Sequence, residues 1–253
     1  MKAFDRLLIL MRRLRHPRRG CPWDRQQTPA SLKEFVLEEA YELIEAIDDG
    51  GADKIRDELG DLLLQIVFLA RIFQERGEFS MADVVRTLSR KLVDRHPHIF
   101  AGRSVESADE VKANWERIKM AQRKKASIIS NYPEQMPALL KAQRIASQAS
   151  AVGFDWGDAR GALLKVEEEI AELKAELKRG DVDALSEEVG DLLFAVANVS
   201  RLLKVNAEFA LNHTNRKFTR RFRYIEGALR RRGKSPEESD LQEMEKLWQR
   251  SKL

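Results

Sequence analysis

Two short stretches of the sequence place carboxylates at the head of an apolar run. EEVGDLLF covers residues 187–194, and DELGDLLL covers residues 57–64. Acidic side chains that face a protein interior need a partner that neutralises them. The first question of chemistry is therefore which partner these acids have, and why they occur twice.

The acids belong to a longer internal repeat. At a constant offset of 130 residues, segment 38–71 aligns without gaps with segment 168–201. Five carboxylates coincide: Glu38 with Glu168, Glu39 with Glu169, Glu42 with Glu172, Glu58 with Glu188, and Asp61 with Asp191. Small changes of offset extend the match to Trp23 with Trp156, Lys91 and Arg95 with Lys217 and Arg221, and Trp115 with Trp248. The pattern predicts a tandem duplication of one helical unit.

The spacing of the repeated acids predicts a metal site. Glu168, Glu169 and Glu172 fall within an arc of about 100° on one helix. Glu188 and Asp191 lie about one turn apart on the next helix. If a short loop makes the two helices antiparallel neighbours, the five carboxylates converge. Such a cluster needs cations, and a set of oxygen ligands selects Mg²⁺, or Mn²⁺ in its place.

Two other interpretations of these acids are weaker. Acids on a helix are usually solvated or paired with Lys and Arg, but a duplicated EExxE and ExxD in register makes that reading less attractive. A di-iron bundle needs Glu-x-x-His on two helices. None of the four histidines, at positions 16, 96, 98 and 213, has Glu three residues before it, so iron is not expected.

Helical periodicity dominates the rest of the chain. Segment 31–48 has the amphipathic pattern, with Ser31 and Glu34 as a capping box and Gly50 as a stop. Further helices are predicted over about 52–75, 80–94 (broken at Pro97) and 108–126. The expected fold is all-α. Gly190 is expected to let the two acid-bearing helices approach closely.

Pro133 and Pro137 mark the best candidate for a linker. We therefore predict an N-terminal domain over residues 1–125, a linker over 126–138 and a C-terminal domain over 139–253.

Composition limits the function classes. The chain has 253 residues, 34% charged and 7% aromatic, and a net charge of +4 with acids and bases interleaved. This is weak evidence for nucleic-acid binding. A single cysteine excludes an internal disulfide framework. The first 20 residues are too charged, and their apolar stretch is too short, for a signal peptide or membrane span, so a cytoplasmic location without membrane contact is expected.

These motifs together resemble the MazG family of nucleoside triphosphate pyrophosphohydrolases. The resemblance rests on EExxE, ExxD, GCPWDRQQT, RHPHIF, GFDW and the closing Trp, and it covers essentially the whole chain in a two-domain form. It implies a fold related to the all-α dimeric dUTPases and a homodimer. It also implies Mg²⁺-dependent hydrolysis of NTPs, ATP among them, to NMP and pyrophosphate, with broad base tolerance and a role in nucleotide house-cleaning or in control of signalling nucleotides.

The resemblance also suggests roles for individual residues. Catalysis and metal binding are expected from Glu168, Glu169, Glu172, Glu188 and Asp191, one of them acting as general base. Lys217 and Arg221 would grip phosphate oxygens, and Trp248 would stack on the base. A possible second site comprises Glu38, Glu39, Glu42, Glu58, Asp61, Lys91, Arg95 and Trp115.

The two copies differ next to the acids. Lys165 corresponds to Phe35, and Asn198 corresponds to Phe68. A cation and an amide suit a nucleotide pocket, whereas two phenylalanines suit packing. We therefore predict that Lys165 and Asn198 bind nucleotide, that the C-terminal half holds the principal site, and that the N-terminal half is structural or has altered activity.

Two basic features offer alternatives. GALRRRGKS, residues 227–235, resembles a P-loop but has five residues where that motif has four, and no strand precedes it. The basic runs RRFR and RRRGK suit a helical nucleic-acid-binding protein, the competing hypothesis. Such a protein has no need of a duplicated acid cluster, so nucleic acid is not expected as a partner.

Overall fold

The computed structural model describes residues 3–102, 104, 105, 107, 110, 111, 114, 115, 118, 128, 129 and 132–252. All regular secondary structure in these residues is helical, which confirms the predicted all-α class. Most of the predicted helix over 108–126 and part of the predicted linker lie outside the described residues; the described residues within 108–126 are helical.

In the first repeat, three helices agree closely with the predictions over 31–48, 52–75 and 80–94, and three further helices were not predicted. The described helices of this repeat are α1 (Ala3–Leu14), α2 (Pro22–Gln26), α3 (Leu32–Asp49), α4 (Ala52–Glu75), α5 (Met81–Arg95) and α6 (Pro97–Phe100). The second repeat contains α7 (Ala138–Ser150), α8 (Ala159–Arg179), α9 (Val182–Leu202), α10 (Ala207–Arg230), a 3₁₀ turn (Pro236–Glu238) and α11 (Leu241–Arg250).

The chain packs as two compact units, residues 1–106 and residues 107–253. Each unit contains one copy of the acid-bearing helix pair: α3 packs against α4 in the first, and α8 packs against α9 in the second. The finer domain limits given above, with a linker over 126–138, remain a prediction.

Two tight turns build the helix pairs. Gly50 ends α3 and Gly180 ends α8, both in the left-handed conformation with φ of 79° and 77°. This conformation is almost free of strain only for glycine. The following helix begins within two residues, so the partners run antiparallel. At the start of α9, the Asp181 carboxylate accepts hydrogen bonds from Asp183 N and Ala184 N.

The capping box predicted at Ser31 and Glu34 is wrong. Ser31 already has helical backbone angles, φ −69° and ψ −23°, whereas a capping residue needs an extended backbone. Its hydroxyl instead donates to Gln27 Oε1 over 2.6 Å and accepts from Thr28 N over 3.0 Å. A capping box does form at α5, where Asp83 Oδ2 accepts from Ser80 N over 2.9 Å.

The first unit has a core between α1, α3 and α4. Its buried members are Met11, Leu32, Val67, Phe68 and Ile72.

Arg15 fastens the segment that follows α1 to this core. It pairs with Glu75 over 2.8 Å, donates to the backbone carbonyls of Asp24 and Gln27, and lies 5.3 Å from the centre of the Phe68 ring.

The second unit has its buried apolar cluster between α10 and α11, formed by Ile225, Ala228, Leu229 and Leu247. Gln143 on α7 contacts the start of α10, at the opposite end of that helix from the apolar cluster. Its Nε2 donates to Val205 O over 2.8 Å, and its Oε1 accepts from Ala207 N over 3.1 Å. The buried amide thereby fixes the turn between α9 and α10.

Candidate active site

Three carboxylates of the second unit converge between α8 and α9. Oxygen atoms of Glu169, Glu172 and Glu188 all lie within 4.8 Å of one another. Glu169 is 4% exposed, so this cluster stands at the edge of the packed interior. The convergence that the spacing predicted is therefore present for three of the five acids.

The other two acids of this copy lie beside the group of three. Glu168 is exposed, and its Oε1 accepts from Lys165 Nζ over 2.8 Å. The same ammonium group lies 2.8 Å from Glu169 Oε1, and these two carboxylates raise the pKa of Lys165. Asp191 is exposed and close enough to contribute to the raised pKa of Glu188.

Partial removal from water and mutual repulsion raise the pKa of two acids in this cluster. Desolvation raises the pKa of Glu172, and its hydrogen bond and charge interaction with Glu169 add to the effect. Desolvation also raises the pKa of Glu188, followed by the charges of Glu169 and Asp191. A divalent cation bound among these oxygens would remove the repulsion.

The donor set fits a hard divalent ion. The three residues offer oxygen only, which suits Mg²⁺ or Mn²⁺. Glu188 Oε2 is buried and has no hydrogen-bond partner among the described residues. A buried carboxylate oxygen without a partner is costly, so this atom is the best-placed cation ligand of the group.

The first unit has a similar cluster with a different third member. Oxygens of Glu39, Glu58 and Asp61 lie within 4.8 Å of one another. Desolvation raises the pKa of Glu39, with Asp61 next in size, and it raises the pKa of Glu58, with Glu42 next. Glu38 and Glu42 are exposed.

Aromatic residues pack beside the acids of the first unit. The Trp23 ring meets the Phe35 ring at 5.8 Å and the Phe68 ring at 6.4 Å between centroids, both edge to face. Phe68 is 2% exposed and belongs to the core. The prediction that these phenylalanines serve packing agrees with these contacts.

The two copies also differ at a buried position that the sequence prediction did not single out. Gln65 on α4 is buried, and its Nε2 donates to Glu39 Oε1 over 3.4 Å. The residue 130 positions later is Ala195, also buried. Alanine has no polar group that could donate to Glu169 as Gln65 donates to Glu39, and the gapless alignment already contains this difference.

Gly190 does not have the role expected from the sequence. A Cβ atom added there would meet no described atom within 4 Å outside its own helix backbone and chain neighbours. The close approach of α8 and α9 therefore does not depend on this glycine, because it lies on an exposed part of α9.

The predicted nucleotide-binding groups on α10 and α11 contact one another. The Arg221 guanidinium lies 5.4 Å from the centre of the Trp248 ring. The centres of the Phe218 and Trp248 rings are 5.1 Å apart. Trp248 packs against the apolar cluster of this unit. Within the described part of the chain, no hydrogen bond or ion pair joins Lys217 or Arg221 to the acids.

The counterparts of these three residues in the first copy differ from one another in exposure. Lys91 is exposed, and Arg95 and Trp115 are half-buried. Arg95 Nε and Arg221 Nε are both buried without a hydrogen-bond partner among the described residues. The two arginines therefore share this feature across the repeat.

The stretch that resembles a P-loop is part of a helix end. Gly227 lies within α10, which ends at Arg230, and Gly233 adopts φ of 73° in the turn that follows. Ser235 then caps the short 3₁₀ turn. Since a helix rather than a strand leads into this stretch, it is not a P-loop.

The fold and the site together define an all-α protein with a repeated cluster of carboxylates that could hold a cation. The model of the MazG nucleotide pyrophosphohydrolase domain matches residues 27–100 and 160–225, which contain both carboxylate clusters. The chain belongs to the MazG family.

Similar proteins cover the whole chain. A nucleoside triphosphate pyrophosphohydrolase of Escherichia coli strain K12 is 46% identical over 257 residues, which span 100% of this chain and 98% of the relative. The nucleoside triphosphate pyrophosphohydrolase/pyrophosphatase MazG of Thermotoga maritima is 46% identical over 251 residues, 98% of this chain and 95% of the relative. A Bacillus subtilis protein, YabN, is 42% identical over 252 residues, 98% of this chain but 51% of the relative.

None of the helices in the described part of the chain combines the length and apolar character needed to cross a membrane.

Proposed function

We propose that this protein hydrolyses nucleoside triphosphates to the monophosphate and pyrophosphate, with Mg²⁺, at the site between α8 and α9. Family membership and the names of the full-length relatives support the reaction. One observation supports this location for the site. Oxygens of Glu169, Glu172 and Glu188 lie within 4.8 Å of one another, beside the Lys165 ammonium group. The corresponding place in the first unit has no such cation, since it is occupied by Phe35.

The cluster would hold the ion through Glu169, Glu172 and Glu188. A bound Mg²⁺ supplies charge stabilisation at the phosphates and lowers the pKa of a bound water. Glu168 and Asp191 lie outside the group of three, so each is a candidate general base that takes a proton from the attacking water. Breaking the bond between the α-phosphorus and the bridging oxygen then releases pyrophosphate.

Lys165 would neutralise phosphate charge. It lies between Glu168 and Glu169, so its ammonium group is already at the edge of the cluster. A long, flexible side chain can exchange one anionic partner for another at little cost in geometry.

Lys217, Arg221 and Trp248 remain our proposed contacts to the rest of the nucleotide. Arg221 stacked on Trp248 offers a guanidinium edge for phosphate oxygens and a ring for a base. Stacking of this kind tolerates different bases, which supports broad base tolerance and a house-cleaning or signalling role.

We also propose that two copies of the chain associate in the cytoplasm. Several large apolar side chains of α5 and α6 are exposed, among them Leu88, Ile99 and Phe100 at 56%, 66% and 60%. Apolar surface of this extent is typical of a protein interface.

A turnover panel tests the reaction. Canonical, deoxy and modified NTPs are incubated with Mg²⁺ or with EDTA, and pyrophosphate and orthophosphate are quantified separately. We expect equimolar NMP and pyrophosphate, and no turnover in EDTA. Orthophosphate as the sole product would refute the reaction, and steeply salt-dependent binding of DNA or RNA without hydrolysis would favour the nucleic-acid-binding alternative.

A further inference from the structure

Arg201 links the active-site helix to the segment that precedes α8. Its Nε donates to Asn198 Oδ1 over 2.8 Å, and its Nη2 donates to Asp155 Oδ1 over 2.5 Å. The Arg201 and Asp155 side chains are 16% and 26% exposed, and Asn198 is 4% exposed. Partial burial strengthens both bonds, because each has a charged donor.

This arrangement determines which way the Asn198 amide points. A guanidinium group only donates hydrogen bonds, so the group that faces it must be the amide oxygen. The Nδ2 group is consequently turned away from Arg201. In the described residues nothing accepts a hydrogen bond from it. Asn198 as a whole is 4% exposed, but Nδ2 is not one of the fully buried atoms of the described residues that lack a partner, so this donor is within reach of water or of a ligand acceptor.

Asn198 is on the same face of α9 as the acids. Seven residues separate it from Asp191, which corresponds to a rotation of about 20° and a rise of about 10 Å. Ala195, between them on this face, carries only a methyl group. A nucleotide whose phosphates lie at Glu188 and Asp191 would therefore extend its sugar and base along α9 towards Asn198.

Among the described residues, the first copy of the repeat does not form this network. Phe68 stands where the second unit has Asn198, and it has no polar group to orient. The arginine equivalent to Arg201 is Arg71, which donates instead to Glu75 Oε1 over 2.9 Å and to Gln74 Oε1 over 3.2 Å. The duplicated arginine thus has different partners in the copy that lacks the asparagine.

We infer that Arg201 is a positioning residue for substrate recognition: it holds the Asn198 amide so that Nδ2 donates to an acceptor atom on the sugar or base of the nucleotide. Asp155 in turn holds Arg201. This inference rests on the proposed function. It adds a determinant of nucleoside recognition separate from the metal ligands and from the phosphate-binding cations.

The main test is Arg201→Lys in the full-length protein. Lysine keeps the charge but lacks the planar fork that reaches both partners. We expect KM for NTP to rise about tenfold, the equivalent of about one hydrogen bond. We expect kcat to change little, because a contact remote from the phosphorus binds ground state and transition state alike. Arg71→Lys is the matched control and should leave both constants unchanged.

A double-mutant cycle shows whether Arg201 acts through Asn198. In an Asn198→Ala background, Arg201→Lys should add little to KM, since the group that it orients is gone. Full additivity of the two KM effects would overturn the inference. A KM of Arg201→Lys equal to that of the wild type would also overturn the inference.

The nucleotide panel locates the acceptor. A KM penalty that differs among bases places the acceptor on the base, and one that changes only when a sugar hydroxyl is removed places it on the sugar. A penalty that depends on neither contradicts the inference. If Arg201→Lys does not fold, as judged by circular dichroism, Asp155→Asn provides the same measurement. An inactive wild type would refute the proposed function itself, whereas an active wild type with unaltered variants would refute only the role of Arg201.

Discussion

Lys165 Nζ lies 2.8 Å from Glu169 Oε1, in contact with the buried acid of the second copy. In the first copy Phe35 takes this position, and its ring meets Trp23 at 5.8 Å. The same helix pair therefore presents a cation beside its acids in one unit and an aromatic cluster in the other. The difference underlies the proposed division of labour between the copies.

Replacing the central acid of each copy tests that division. We expect Glu169→Gln to lower pyrophosphate release at least about 100-fold, because a neutral amide is a poorer ligand for the Mg²⁺ that would stabilise charge at the phosphates. Glu39→Gln, the matched variant, should keep a rate near that of the wild type. Initial rates at saturating Mg²⁺ and NTP provide the measurement. A loss of activity confined to Glu39→Gln would contradict the assignment.

The raised pKa of Glu188 predicts a stability effect that depends on pH. Its carboxylate is less favourable in the folded chain than in the unfolded one, so it costs stability above the folded pKa and costs none below the usual value of 4.5. In EDTA near pH 7, Glu188→Gln should therefore melt at a higher temperature than the wild type. The difference should vanish as the pH falls towards 4.5.

Mg²⁺ should reverse the order of the two melting temperatures, so that the wild type melts above Glu188→Gln. Saturating Mg²⁺ at pH 7 is expected to raise the melting temperature of the wild type more than that of Glu188→Gln, since binding to the folded state stabilises it. Equal melting temperatures in EDTA at pH 7 would show that Glu188 carries no repulsion in the folded protein.

Gly190→Ala should stabilise the second unit by about 0.5–1 kcal/mol, because alanine is the better helix former and its Cβ meets no described neighbour. Gly180→Ala is the control. Its Cβ also meets open space, but φ of 77° makes any side chain strained, so this variant should be less stable than the wild type. Urea denaturation followed by circular dichroism measures both. A destabilised Gly190→Ala variant would mean that another chain contacts this position.

Arg15→Met should destabilise the first unit by roughly 2 kcal/mol, since it removes one of the two arginine partners of Glu75 and the hydrogen bonds from Arg15 to two backbone carbonyls. Arg56→Met is the control, because Arg56 pairs with Asp53 on the surface, where the side chains are 69% and 90% exposed. Its effect should be below about 1 kcal/mol. Similar losses for both variants in thermal unfolding would show that Arg15 contributes no more than a surface ion pair.

The sequence by itself determined the helical class, the ends of α3, α4 and α5 to within a residue or two, and the existence of a duplicated acid cluster. Each follows from local information: apolar periodicity, a glycine that can take a left-handed turn, and identical residues at a constant offset.

Only the tertiary structure decided which acids meet. Glu172 completes the group of three in one copy and Asp61 completes it in the other, although the repeat aligns both residues with an acid. The tertiary structure also showed that Ser31 does not cap α3, that Gly190 is not a point of close approach, and that Arg201 donates to Asn198 Oδ1. These features depend on side-chain direction and on contacts between residues far apart in the chain. Asp155 and Arg201, for example, are 46 positions apart. Periodicity along one helix carries no information about such contacts.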